Sequence, residues 1–138
     1  MVVPTKFSAL PHGMRRFLET PRYATIATLL PDGAPHQAVV WYGLEGDGLI
    51  INSRRGRRWP ANLERDPRIS LAVDDDADPE HWVGLRGVAE VIRTGPPALL
   101  DIQALARRYE GDPDEYVGQE RVTFLIHVHR TFEYGDDS

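Results

Sequence analysis

Short runs of alternating apolar and polar residues, cut by turn residues, dominate this chain and predict strands more than helices. "RYATIATLL" (22–30) is a β-branched, apolar run, and "PDG" (31–33) is a tight-turn signal that sends it back as "APHQAVVWYGL" (34–44). "EGDG" (45–48) turns that second strand into a third, "LIINS" (49–53). The period then changes. "GRRWPANLERDP" reads as a short helix, bounded where Asp66 precedes Pro67 and is pushed out of helical geometry. Strand pattern returns in "RISLAVD" (68–74), and after the acidic loop "DDADPE" in "HWVGLRGVAEVIRT" (81–94), where Gly84 and Gly87 mark a bulge or a close backbone approach.

Helical spacing appears at both ends of this β region. "SALPHGMRRFLET" predicts a helix from about Pro11 to Glu19, stopped by Pro21. "GPPALLDIQALARRYEG" (95–111) opens with proline in its first turn and carries Leu99, Ile102, Leu105 and Ala106 on one face. An acidic connector, "DPDEYVGQE", leads to a closing strand, "RVTFLIHVHRTFEYG" (121–135). The order is α-βββ-α-ββ-α-β in a mainly β, α+β chain. The pattern predicts a six-stranded, mostly antiparallel β-barrel with peripheral helices. A length of 138 residues is one domain's worth, so 1–138 is expected to be a single domain.

Charge narrows the partners. The net charge of −5 opposes a general affinity for nucleic acid or anionic membrane, which needs broad positive potential. With no cysteine, disulfides, thiol catalysis and thiolate metal sites are excluded, which fits a cytoplasmic protein. The first residues show no long apolar run, so neither a signal peptide nor a membrane span is expected.

One stretch departs from this acidic background. In "INSRRGRRWPANLERDPRIS" (51–70), Arg54, Arg55, Arg57, Arg58, Arg65 and Arg68 face only Glu64 and Asp66, six positive charges against two negative. An arginine cluster on a helix is commonly a solvated face. Here the run follows a strand directly, and Gly56 lies between two arginine pairs, so the turn and the first helical turn share the charge. Helix N–H groups and forked guanidinium donors at such a turn suit one phosphate-sized anion.

The motifs around this stretch resemble those of the pyridoxamine 5′-phosphate oxidase-like split β-barrel proteins, which bind flavins and deazaflavins. The matching residues are Asp32-Gly33-Ala34-Pro35, then Ser53, Arg55-Gly56-Arg57, Asn62-Leu63 and Asp66-Pro67-Arg68, with "HWVGLRGVAEV" as the family's next strand. The resemblance covers about residues 15 to 93. It implies an FMN-binding split barrel type of fold and a homodimer with cofactor sites at the subunit interface. It implies a phosphate grip by Ser53, Arg57 and Arg58, with Arg54 and Arg55 as adjacent contacts or more distant charge, and a cofactor ring lying along Val39, Val40 and Trp41. Trp82 would close the pocket from the partner subunit. The chain departs from the family at Trp59, where a lysine or arginine is usual; its indole either packs or lines the cleft.

By this resemblance the chain is an oxidoreductase that uses the deazaflavin coenzyme F420 to move hydride to or from a small organic substrate, with FMN as the alternative cofactor. A flavin-binding carrier or sensor without turnover, and a nucleic-acid-binding barrel, are the readings from other classes. Cofactor chemistry needs no protein acid or base, and none is nominated. His127 and His129 alternate on the last strand and share a face, but two ligands without a third make a weak metal site. His36 is read as a surface histidine or a substrate contact, and Asp74, Asp75, Asp76, Asp78 and Glu80 as a solvated loop lacking calcium-loop spacing. Strand alternation assigns one of Trp41 and Tyr42 to the core and the other to the cleft.

Overall fold

In the computed structural model, which describes residues 7–134, the chain forms α1 (His12–Glu19), β1 (Ala24–Leu29), β2 (Pro35–Val40), β3 (Gly43–Glu45), β4 (Gly48–Arg54) and α2 (Arg58–Arg65). β5 (Arg68–Asp75), β6 (Asp78–Thr94), α3 (Gly95–Arg108), a short 3-10 turn (Pro113–Tyr116) and β7 (Arg121–Tyr134) follow. All strand pairs are antiparallel, in the order β2-β1-β5-β6-β7-β4-β3.

The expected six-stranded antiparallel split β-barrel is therefore corrected on two counts. Seven strands are present among the described residues, because the anticipated second strand breaks at Trp41–Tyr42 into β2 and β3. The sheet is also open: β2 and β3 are its two edges, and no ladder joins them. The break is the physical reason. A strand that pairs with β1 up to Val40 and with β4 from Gly43 has changed partners within two residues, and neither piece continues to the other's neighbour.

Those two edges are nevertheless joined by a three-residue step from Val40 to Gly43. Three trans peptide units reach at most about 11 Å. Seven flat strands would hold their edges about 29 Å apart. The sheet must curl strongly to bring one corner of each edge together. β6 and β7 bend to allow it, with register shifts at Arg86/Gly87 and Val91/Arg93. Gly87 permits the first: a Cβ there would lie 2.1 Å from the carbonyl oxygen of His127.

The hollow of the curl holds the core. Alternate residues of the strands, among them Ile26, Ile51, Leu71, Val73, Val83, Leu85, Phe124 and Ile126, are buried in one cluster with Met14 and Leu18 of α1. The acidic 74–80 segment, read as a loop, is mostly ladder. β5 and β6 run through it to a two-residue turn at Asp76–Ala77, where the Ala77 N–H donates to Asp75 Oδ1 at 3.0 Å. α3 covers the second face of β4: Asn52 Nδ2 donates to the Ala98 carbonyl oxygen at 2.9 Å, and Ile102 and Leu105 are buried.

Candidate functional site

The arginine-rich stretch spans the end of β4, a turn and α2. Gly56 turns the chain with φ +96°, a conformation other residues seldom adopt. α2 is then fastened from below, with Trp59, Asn62 and Leu63 buried. Asn62 Nδ2 donates to the buried Thr28 Oγ1 at 3.1 Å, so the Asn-Leu pair is an anchor of the helix onto β1.

The six arginines divide into two groups. Arg55 meets Glu64 at 3.0 Å and Glu120 at 3.8 Å. Arg65 donates to Asn62 Oδ1 at 2.9 Å, and Arg68 holds both oxygens of Asp66, at 3.1 and 2.7 Å. That pair keeps the Asp66 carboxyl below its ordinary pKa, chiefly through the Arg68 hydrogen bonds. Among the described residues, no carboxylate lies within 4.0 Å of Arg54, Arg57 or Arg58.

Arg57 opens onto a cleft of about 350 Å³ between the β2 edge, the ends of β4 and β7, α3 and the 3-10 turn. Val39, Val40, Trp41, Ser53 and Trp59 also line it, so six of the nine residues singled out from the sequence come together here. Val39 is exposed on the sheet edge, while Trp59 is only 6% exposed and packs on Phe124 with ring centroids 5.8 Å apart. Its indole is thus a core element that shows one side to the cleft.

The other three lie elsewhere. Arg58 borders a second hollow with Asp32 and Arg65, Arg55 is held by its two glutamates, and Trp82 stacks on Tyr134 at 6.0 Å without lining this cleft.

Trp41 and Tyr42 face opposite ways. Tyr42 is fully buried, and its hydroxyl donates to the Thr20 carbonyl oxygen at 3.0 Å. Burial pushes its pKa up to about 12. Trp41 turns outward and stacks on Tyr109 with centroids 5.0 Å apart and planes 8° from parallel. Arg108 fixes this corner by donating to the carbonyl oxygens of Leu18, Glu19 and Tyr42 at 2.8, 3.0 and 3.1 Å.

Sequence reading missed the inner wall. Asn52 and Arg121 line the cleft, as do Tyr23 and Tyr116. Arg121, 7% exposed, donates from Nε to Asn52 Oδ1 at 2.9 Å and from Nη1 to Gln119 Oε1 at 2.8 Å, with its guanidinium 5.1 Å from the Tyr116 ring centroid. Behind it, Asn52 Nδ2 donates to Thr123 Oγ1 at 2.8 Å, Thr123 donates to Asp101 Oδ2 at 2.7 Å, and Arg93 ties Asp101 to Glu45 at 2.6 and 2.7 Å. A polar residue pointing under a helix from an otherwise apolar strand, "LIINS", was the available signal for Asn52. Arg121 had none, because only the pairing of β4 with β7 sets it opposite Arg54.

The two histidines do not share a site. Gly87 of β6 pairs with Val128 and Arg86 with Arg130, which leaves His129 as the extra residue of a bulge. His127 meets Glu90 at 3.1 Å, while His129 lines a separate hollow near Arg68 and Arg86. No group of three metal-ligating side chains occurs among the described residues, and no helix there is long and apolar enough to cross a membrane.

Comparison with known proteins gives this geometry a family. The model of the pyridoxamine 5′-phosphate oxidase family matches residues 10–134. The chain belongs to that family. Among solved structures, an F420 reductase superposes with a TM-score of 0.75 at 26% identity, covering 89% of this chain and 98% of its own. A conserved hypothetical protein from Mycobacterium tuberculosis gives 0.76 at 26%, covering 97% and 89%. The heme storage protein HutZ of Vibrio cholerae gives 0.73 at 18%, covering 93% and 96%, and shares the fold. Comparison with curated proteins gave no match.

Proposed function

We propose that this family member is an oxidoreductase whose cleft holds coenzyme F420, with FMN as the alternative, and whose substrate is a small organic molecule. The observation that carries the reading is the union of two features in one cleft. Guanidinium groups without a carboxylate partner stand beside an aromatic and apolar wall of Val40, Trp41 and Trp59. A phosphate-bearing, ring-shaped cofactor needs both. The likeness to the F420 reductase supports the choice of deazaflavin over flavin.

Either cofactor, once bound, supplies a hydride-transferring ring, and the protein's part is orientation and exclusion of water. Arg57 would hold the phosphate, Ser53 would offer its hydroxyl, and the β2 edge would lie along the ring. The exposed Val39 on the β2 edge, which lines the cleft, suits a second copy of the chain as a further wall, so the active form is a homodimer.

Titration with F420 and FMN, read by fluorescence, tests the proposal: one ligand per chain should bind with a Kd well below about 100 μM. Weaker binding of both sinks it. Bound cofactor without turnover on any substrate would favour a carrier or sensor. A heme-binding reading has one observation behind it, the buried His129 Nδ1, which has no hydrogen-bond partner among the described residues; His129 lines a mostly apolar hollow of about 400 Å³. Hemin binding that His129→Ala abolishes would favour that reading.

A further inference from the structure

The inner wall of the cleft contains a buried cation with nothing to neutralise it. Arg121 is 7% exposed, yet among the described residues no carboxylate oxygen comes within 4.0 Å of it. Two of its three nitrogens donate to neutral oxygens, Asn52 Oδ1 and Gln119 Oε1, and Nη2 has no hydrogen-bond partner among the described residues. Burial lowers its pKa to about 10; Tyr116 opposes that shift, and the positive charges of Arg57 and Arg54 add to it. A guanidinium taken out of water without an anion is a destabilising arrangement, and folded proteins seldom keep one unless a ligand completes it.

The residue is also held in place. Asn52 receives Nε and is itself fixed by the Ala98 carbonyl and by Thr123. Tyr116 covers one face of the guanidinium. Its free edge is therefore pre-aimed, and Arg57 lines the same cleft. Glu115 borders the cleft too, but no arginine nitrogen lies within 4.0 Å of its carboxylate.

We infer that Arg121 and Arg57 together form a receptor for one oxyanion, a phosphate or carboxylate of the cleft's ligand, with Arg121 contributing its positive charge from β7. Two cations that face one cleft and repel each other are both relieved by a shared anion, and the forked donors of each suit its oxygens. The role as an anion receptor stands on the geometry of the cleft; assigning the anion to a cofactor or its substrate rests on the function proposed above.

The test begins with inorganic phosphate as the probe. Phosphate should raise the thermal midpoint of the wild-type protein, and Arg57→Gln, a change on the cleft rim, should abolish most of that shift. Arg121→Gln should do the same, with folding checked by circular dichroism. If Arg121→Gln does not fold, Arg57→Gln decides, read with Glu115→Gln, which should strengthen the phosphate response by removing the acid that borders the cleft. In the double variant Arg57→Gln/Arg121→Gln, the loss should be less than the product of the single losses, because both act on one anion.

Comparison of FMN with riboflavin, which lacks the phosphate, then identifies the source. A tenfold or greater preference for FMN that disappears in Arg121→Gln assigns the anion to the cofactor. Equal flavin affinities, with Arg121-dependent binding of benzoate to the flavin-loaded protein, assign it to the substrate. Phosphate binding that needs Arg121 while neither F420 nor a flavin binds keeps the anion receptor and removes the cofactor reading. A folded wild-type protein that ignores both phosphate and benzoate, or variants at both arginines that respond as wild type does, overturns the inference.

Discussion

Arg57 and Arg58 are neighbours in sequence and both border the hollow beside Asp32 and Arg65, yet only Arg57 also reaches the aromatic cleft. A charge-assisted hydrogen bond to phosphate is worth about 1.5–3 kcal/mol. Arg57→Ala should therefore weaken cofactor binding about tenfold to a hundredfold with little change in folding, as measured by titration and thermal melting. Arg58→Ala should have the smaller effect. Unchanged affinity in Arg57→Ala would remove it from the phosphate role. Gly87 is the residue on which the bend of β6 depends. A methyl group 2.1 Å from the His127 oxygen forces the ladder apart, so Gly87→Ala should cost at least about 2 kcal/mol in chemical denaturation.

Among the elements, the C-terminal end of α3 clamps the strand break. Arg108 gathers three carbonyl oxygens, from α1 and from Tyr42, and Tyr109 supplies the ring on which Trp41 stacks. This contact sets the direction of the indole at the mouth of the cleft. Tyr109→Leu is expected to free Trp41, visible as a change in tryptophan fluorescence and faster quenching by a soluble quencher, with a lower cofactor affinity. An unchanged quenching rate would mean that the strand backbone alone orients the ring. α2 has the simpler attachment. Its buried Asn62 and Leu63 hold the helix against β1, and the arginines at its start are displayed by that anchoring.

For the whole molecule, the burial of Tyr42 links stability to alkaline pH. Its folded pKa near 12 lies above the ordinary tyrosine value of 10.0, so the stability it contributes is complete below pH 10 and is lost as pH rises from 10 towards 12. At about 1.4 kcal/mol per pH unit, this amounts to roughly 2–3 kcal/mol. Tyr42→Phe should flatten that alkaline limb in denaturation curves, while costing about 1 kcal/mol at neutral pH through the lost bond to the Thr20 oxygen. A wild-type limb as flat as the variant's would contradict the assignment. Sedimentation should find two copies of the 15.6 kDa chain together, and a monomer at all concentrations would remove the second copy from the proposed site.

Local signals carried well wherever the deciding interaction was local. The helix expected to begin at Pro11 runs His12–Glu19, the one beginning at Gly95 runs to Arg108, and the glycine at position 87 marks a bulge. The turn at Gly56 and the arginine excess around it were likewise legible, because a turn residue and a charge run announce themselves within a few positions. The family resemblance further grouped Ser53 and Arg57 with the β2 edge.

Partner choice between distant segments was not legible. A two-residue period says that a strand has two faces but not which strands flank it, so the change of partner at Trp41–Tyr42 and the open order of seven strands came only with the fold. The same pairing of β4 with β7 set Arg121 opposite Arg54 and buried it beside Asn52. By itself, then, the sequence determined the elements, the turn and the presence of an unusual positive charge. Tertiary structure decided which of those charges are neutralised and which are left facing a cleft, because neutralisation depends on distances between residues that the chain order does not contain.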